Sequence, residues 1–160
     1  MVGTLRRAGF DVVAWNRDRG KCHAVAHTSG AEVAEGAAEA ASAADVAITS
    51  LADDAAVEAV YADAVDGFHA GQVVLEMSTI APETVRKVAR SVQGRGATML
   101  DAPVSGSVPV VERGELLIMV GGDPDALERA RPVLEALSST IIHVGELGTG
   151  ATMKLAVNAL

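Results

Sequence analysis

Short apolar runs alternate with amphipathic helical stretches along almost all of this 160-residue chain, and that alternation limits the possible fold more than any other feature. Phe10–Trp15 reads as a strand and Asp18–Thr28 as a helix; Val46–Ser50 reads as a buried strand, with a helix beginning near Asp53. Val73–Glu76 is the next strand. Pro82 then stands where the first residue of a helix should, and Val85, Val88, Ala89 and Val92 form one apolar face beyond it. Thr98–Ala102 reads as a strand, residues 108–113 as a short helix and Leu116–Val120 as a continuous apolar strand. Asp123-Pro124 combines an N-cap with proline at the first helical position, opening a helix with Leu127, Ala130, Leu134 and Leu137 inward. Thr140–Val144 is a last strand before a terminal helix, and the alanine-rich stretch Ala31–Ala44 also reads as helix.

Strands separated by helices of this length imply right-handed crossovers and a mostly parallel sheet. Composition agrees. Apolar residues make up 49% of the chain, yet the only aromatics are Phe10, Trp15, Tyr61 and Phe68. A core of Val, Leu, Ile and Ala suits an α/β fold with helices on both faces of a buried sheet. The length allows one domain with a real core, not two full ones. No apolar run approaches the ~18 residues of a membrane span, and the N-terminus carries no signal-peptide pattern. The single Cys22 excludes an internal disulfide and is compatible with a reducing cytoplasm, which is the expected location. The net charge of −8 argues against nucleic acid or an anionic membrane as partner. Residues 1–21 nevertheless carry a local +3 from Arg6, Arg7, Arg17, Arg19 and Lys21 against Asp11 and Asp18. Such a region could dock one phosphorylated small molecule, or it could be a set of solvated arginines.

In open parallel sheets, ligands bind beyond the carboxyl ends of the strands. Asn16, Ser50, Thr79 and Ser105 all stand just past an expected strand end, and that coincidence marks a candidate site. Near the C-terminus, Gly148 and Gly150 flank a turn before a helical run that places Lys154 and Asn158 one turn apart on the same face. A lysine and an amide side by side on an otherwise apolar helix can hold one oxygen atom of a substrate. A solvated Lys and Asn on an ordinary amphipathic helix would look the same. His23, His27, His69 and His143 show no ligand spacing, so no metal site is expected.

Four segments, in order and spacing, resemble the nucleotide-binding domain of the β-hydroxyacid dehydrogenases, a superfamily that includes the 3-hydroxyisobutyrate dehydrogenases. They are Ala14-Trp15-Asn16-Arg17, Met77-Ser78-Thr79-Ile80-Ala81-Pro82, Asp101-Ala102-Pro103-Val104-Ser105-Gly106, and Gly150 through Asn158. Trp15-Asn16-Arg17 with Lys21-Cys22, and Ser107 where many members have a second glycine, look most like the glyoxylate/succinic semialdehyde reductase branch. The resemblance implies a Rossmann-like domain over residues 1–146 and, over 147–160, the start of a helix leading to an all-α domain. Family members open with a strand and a Gly-x-Gly-x-x-Gly loop that cradles the cofactor pyrophosphate. Met1–Leu5 looks like the middle of the helix after that loop, so the expected fold lacks the first strand and the loop, and little turnover is expected of this chain.

The resemblance also implies roles. Asn16 and Arg17 follow the strand where such folds choose between cofactors; an arginine there accommodates a 2′-phosphate, favouring NADP with NAD possible. A helix-start asparagine beside a surface arginine is the competing account. Ser50 and Leu51 would pass under the nicotinamide ribose. Thr79 would contact the same region, or simply cap the helix that begins at Pro82. Ser105, Gly106 and Ser107 would anchor the substrate carboxylate through hydroxyls and backbone amides, unless they form a plain turn. Lys154 would stabilise and protonate the oxygen left negative by hydride addition to a carbonyl, with Asn158 holding the same oxygen. The related imine reductases lack this lysine, so its presence favours a carbonyl substrate. The implied function is an NADP-dependent oxidoreductase acting on a small hydroxy acid or its aldehyde or keto form, as a homo-oligomer. The alternative is a non-catalytic nucleotide-binding or assembly module descended from one.

Overall fold

Two separate strand systems, a parallel pair and a mixed, mostly parallel sheet, organise the computed structural model, which describes residues 1–160. The chain runs α1 (Val2–Arg7), β1 (Val13–Ala14), α2 (Arg19–Ser29), β2 (Glu32–Val33), α3 (Ala37–Ser42), β3 (Val46–Thr49) and α4 (Asp54–Ala64). It continues through β4 (Val73–Glu76), α5 (Pro82–Gly94), β5 (Thr98–Asp101), β6 (Val104–Ser105), α6 (Val108–Glu112), β7 (Leu116–Gly121), α7 (Pro124–Leu137), β8 (Ser138–Gly145) and α8 (Thr149–Asn158). β1 pairs with β2 alone. The larger sheet holds six strands in the order β3-β4-β5-β7-β6, with β8 along the other edge of β7. β3, β4, β5 are mutually parallel, and β7 runs antiparallel to β5 and β6 but parallel to β8.

The helices begin where side chains can satisfy free backbone N–H groups. Asp18, Asp53 and Asp123 each accept an N–H three residues on, from Lys21, Ala56 and Ala126, at 2.8–3.1 Å. Helices cover both faces of the large sheet, as the α/β reading expects. On one face α3, α4, α5 and α8 close over a cluster that includes Val57, Tyr61, Val74, Val85, Val92 and Ala151. On the other, α1 and α7 close over Leu5, Leu75, Leu100, Ile118, Leu127 and Leu134.

Two local expectations are corrected, and one strand was not foreseen. Ala31–Ala44 is not one helix: Gly30 ends α2 in the left-handed region at φ 72°, Glu32–Val33 pair with Val13–Ala14, and only Ala37–Ser42 is helical. Pairing with a neighbouring strand overrides alanine's helical preference there. The strand expected over Phe10–Trp15 narrows to Val13–Ala14, matching its short partner. The antiparallel strand β6, between a proline and a glycine, carried no sequence signal.

β1 and β3 do not pair with each other. They border a cleft of about 630 Å³, lined mainly by apolar side chains such as Phe10, Val13, Trp15, Ala41, Ile48 and Phe68. No helix is long and apolar enough to cross a membrane.

Candidate functional site

The polar groups near the carboxyl ends of the strands fall into two sets, one buried and mutually satisfied, the other mostly exposed and without partners in the chain. Glu76, the last residue of β4, has no exposed surface. One carboxylate oxygen accepts the Thr49 hydroxyl at 2.6 Å and the other the Ser78 N–H at 2.7 Å. Thr49 also shares a 2.9 Å hydrogen bond with the Tyr61 hydroxyl, and the Leu51 N–H donates to Ser78 Oγ at 2.8 Å. Burial pushes the Glu76 carboxyl above its ordinary range, and the hydrogen bonds from Ser78, Thr49 and Tyr61 oppose that shift. Tyr61 is raised as well, first by burial and then by the neighbouring Glu76. The network ties the end of β3 to the end of β4, and so fixes the backbone on which Ser50, Leu51 and Thr79 stand.

Asp101 does the same at the end of β5. It is 1% exposed, and its two oxygens accept the N–H groups of Gly148 and Ala151, each at 2.7 Å. Burial raises its pKa, opposed by those amide bonds. The contact is close enough to exclude side chains. A Cβ on Gly150 would lie 2.5 Å from the Met119 carbonyl oxygen and 3.0 Å from Asp101 Oδ2; one on Gly121 would lie 2.5 Å from Asp101 Oδ1. Only glycine permits this approach of α8 to the sheet.

The exposed set contains the residues the sequence singles out. The Ser50 and Thr79 side chains are exposed, and Ser105 and Leu51 are partly so. The hydroxyls of Ser50, Thr79, Ser105 and Ser107 make no hydrogen bond within the chain. Thr79 does not cap α5: its N-cap is Ala81, whose N–H donates to Asp54 Oδ1 at 3.0 Å. Ser107 is the N-cap of α6 but makes no side-chain cap bond. Gly106 has φ 148°, and a Cβ there would meet Leu116 and Val110 at 2.8 Å, so the loop requires glycine. Lys154 is only 9% exposed, and its ammonium has no ion-pair partner in the chain. Asn158, one turn on at the end of α8, is exposed.

Asn16 and Arg17 stand beyond β1 on the smaller strand pair. Asn16 Oδ1 accepts the Asp18 N–H at 2.8 Å, closing the turn into α2, and its amide nitrogen is free. Arg17 is exposed and pairs with no carboxylate, whereas Arg19 beside it is bound to Glu35. Trp15 and Leu51 pack against the same apolar cluster that holds Ile80 and Ala151, so residues near Arg17, Ser50, Thr79 and Lys154 share one core.

Sequence reasoning missed the supporting groups Glu76, Thr49, Ser78 and Asp101. A carboxylate closing an apolar strand was the available signal: Glu76 and Asp101 both end buried runs, where an unpartnered charge would be costly.

Residues 1–145 match the family described as the NAD binding domain of 6-phosphogluconate dehydrogenase. The chain is 45% identical over 136 residues to an NAD-dependent L-serine dehydrogenase of Pseudomonas aeruginosa, a match covering 82% of this chain and 45% of that protein. It is 33% identical over 163 residues to glyoxylate/succinic semialdehyde reductase 1 of Arabidopsis thaliana, covering 100% of this chain and 56% of that one. Among solved structures, Mycobacterium tuberculosis 3-hydroxyisobutyrate dehydrogenase with L-serine superposes with a TM-score of 0.93 at 35% identity, over 98% of this chain and 54% of that chain. The chain thus spans about half the length of the relatives it matches.

Proposed function

The chain belongs to the family of the NAD binding domain of 6-phosphogluconate dehydrogenase, and on that premise we propose that it is the cofactor-binding part of an NADP-preferring oxidoreductase that interconverts a small β-hydroxy acid and its aldehyde or keto form. The carrying observation is the division of polar groups at the strand ends. The buried carboxylates are saturated by the protein, while the hydroxyls of Ser50, Thr79, Ser105 and Ser107 and the Lys154 ammonium are left for a ligand.

These residues fit a dinucleotide. Unpaired Arg17 and the free amide of Asn16 suit a 2′-phosphate, and Ser50, Leu51 and Thr79 suit the nicotinamide ribose. The bound nicotinamide would exchange a hydride with the substrate carbon. The rest falls to the chain's own groups. Ser105 and Ser107 donate hydroxyl hydrogen bonds to the substrate carboxylate, helped by the backbone at Gly106. Lys154 Nζ faces the substrate oxygen, stabilises the negative charge that develops there, and delivers the proton that makes it a hydroxyl. Asn158 holds the same oxygen. In this reading residues 1–146 hold the cofactor and 147–160 begin the helix that carries the acid/base. Leu155 and Val157 are exposed on that helix and Leu160 just past its end, which supports a homo-oligomer; sedimentation at micromolar concentration tests it, and a monomer overturns it.

The test is NADPH oxidation with a small 3-oxo acid such as malonate semialdehyde, in a chain restored at both ends to the length of its relatives. Lys154→Ala should lower kcat by roughly 10²–10⁴-fold while NADPH affinity changes less than about twofold, because the lysine acts mainly in the transition state. An unchanged kcat removes Lys154 from the chemistry. NADPH binding with no turnover in that restored chain, before any mutation, would favour the alternative, a nucleotide-binding module without catalysis.

A further inference from the structure

Helix α8 carries the proposed acid/base, yet its start has no cap of its own. Its N-cap is Gly148, in the left-handed region at φ 93°, which has no side chain to satisfy the free N–H groups of the first turn. The cap comes instead from the sheet, 47 residues back in sequence. Asp101 Oδ1 accepts the Gly148 N–H, and Asp101 Oδ2 accepts the Ala151 N–H, each at 2.7 Å. A carboxylate in this position also complements the positive end of the helix dipole. Lys154 lies three residues beyond Ala151, within one turn of the anchored amide.

The same residue governs a second element. The backbone leaves Asp101 through Ala102 and Pro103 directly into Val104–Ser105, the strand that presents the proposed carboxylate anchor. Asp101 pairs with Gly121 on β7, the Pro103 carbonyl accepts the Met119 N–H at 3.1 Å, and Ser105 pairs with Leu117. The anchor loop is therefore fixed to β7 while α8 is fixed to Asp101, and one side chain sets the spacing between them. We propose that Asp101 is the positioning residue of the site: it latches the start of α8 to the end of β5, and so holds Lys154 at a fixed distance from Ser105. This rests on the reading of Lys154 as the acid/base.

The first test needs no variant. The amide of Ala151 lies in the first turn of a helix, where N–H groups ordinarily lack a partner and exchange quickly. With the latch formed, the Gly148 and Ala151 amides should be protected from hydrogen exchange as well as amides in the middle of α5. Free exchange there would overturn the proposal. In Asp101→Asn, one acceptor oxygen becomes an NH₂ that cannot accept, with the shape kept. Protection at Gly148 and Ala151 should fall at least tenfold while amides of β3 and β4 keep theirs. The kcat should fall about tenfold or more with NADPH affinity within twofold. Gly150→Ala keeps the carboxylate but forces α8 outward through the close contacts with Met119 and Asp101, and should give the same split. Loss of protection with kcat unchanged, in a protein that Lys154→Ala inactivates, would overturn the positioning role and leave Lys154 its own. Full turnover in Lys154→Ala would overturn that role for Lys154 and the positioning role with it.

Discussion

The central strands of the six-stranded sheet and the β1–β2 pair are packed to very different standards. In β4 every residue is buried, in β5 three of four are, and Leu75, Leu100, Ile118 and Leu134 have no exposed surface. In the small pair each strand has two residues, none of them buried, and α2 buries only Cys22 and Ala26 against it. One outer edge of β1 and one of β3 border the apolar cleft rather than another strand. The proposed tasks divide along the same line. Substrate anchoring and proton delivery, which need fixed geometry, stand on elements tied to the well-packed strands β5 and β7; cofactor choice, which needs a free cation near a phosphate, stands on the looser pair.

The largest expected effect lies in the packed half. Leu100→Ala should cost about 2–5 kcal/mol in denaturant unfolding, the range for a fully buried leucine in a core that cannot collapse. Val13→Ala, on the half-buried pair, should cost less than about 1 kcal/mol. Similar costs for the two would erase the contrast. Ser105→Ala comes next: it should raise KM for the carboxylate substrate by roughly tenfold or more, as expected for losing a hydrogen bond to a charged group, and leave NADPH affinity unchanged. A shift in cofactor affinity instead would move Ser105 out of the substrate anchor.

The smallest effect is a change in pH dependence at the saturated network. Burial holds the Glu76 proton more tightly in the folded protein than in the unfolded chain. Both states are protonated at low pH, so Glu76 costs nothing there. Stability is lost as pH rises through the ordinary value of 4.5 toward the raised one. In Glu76→Gln the Ser78 N–H keeps an acceptor and Thr49 gains a donor, so the fold survives without that loss. The stability difference between variant and wild type should therefore grow in favour of Gln from pH 4 to pH 7 in denaturant titrations. A pH-independent difference would show that Glu76 titrates normally.

Much of this was legible in the residues. Val73–Glu76 and the Asp123-Pro124 helix start stand where apolar runs and turn chemistry put them, because both signals are local. Ala31–Ala44 misled, since strand pairing with Val13–Ala14 is a tertiary fact that alanine content cannot report. The placement of Lys154 and Asn158 one turn apart on a helix was readable from four-residue spacing, while their proposed roles came only from the resemblance. Asp101 was visible as a motif residue, but its latch was not, because it joins groups 47 and 50 residues apart through a glycine-only contact. The four-residue spacing of a helix is written in one segment; a cap supplied across the fold is written in none.

The central claim is that free groups beyond the strand ends hold a dinucleotide, with Arg17 on the looser half selecting its phosphate. Titrating NADPH and NADH while following nicotinamide fluorescence tests it directly, in the unmutated protein and in Arg17→Ala. NADPH should bind at least about tenfold tighter than NADH, and Arg17→Ala should bring the two together, since a lost hydrogen bond to a charged group is worth roughly 1.5–3 kcal/mol. Equal affinities for the two cofactors before any mutation would contradict the account.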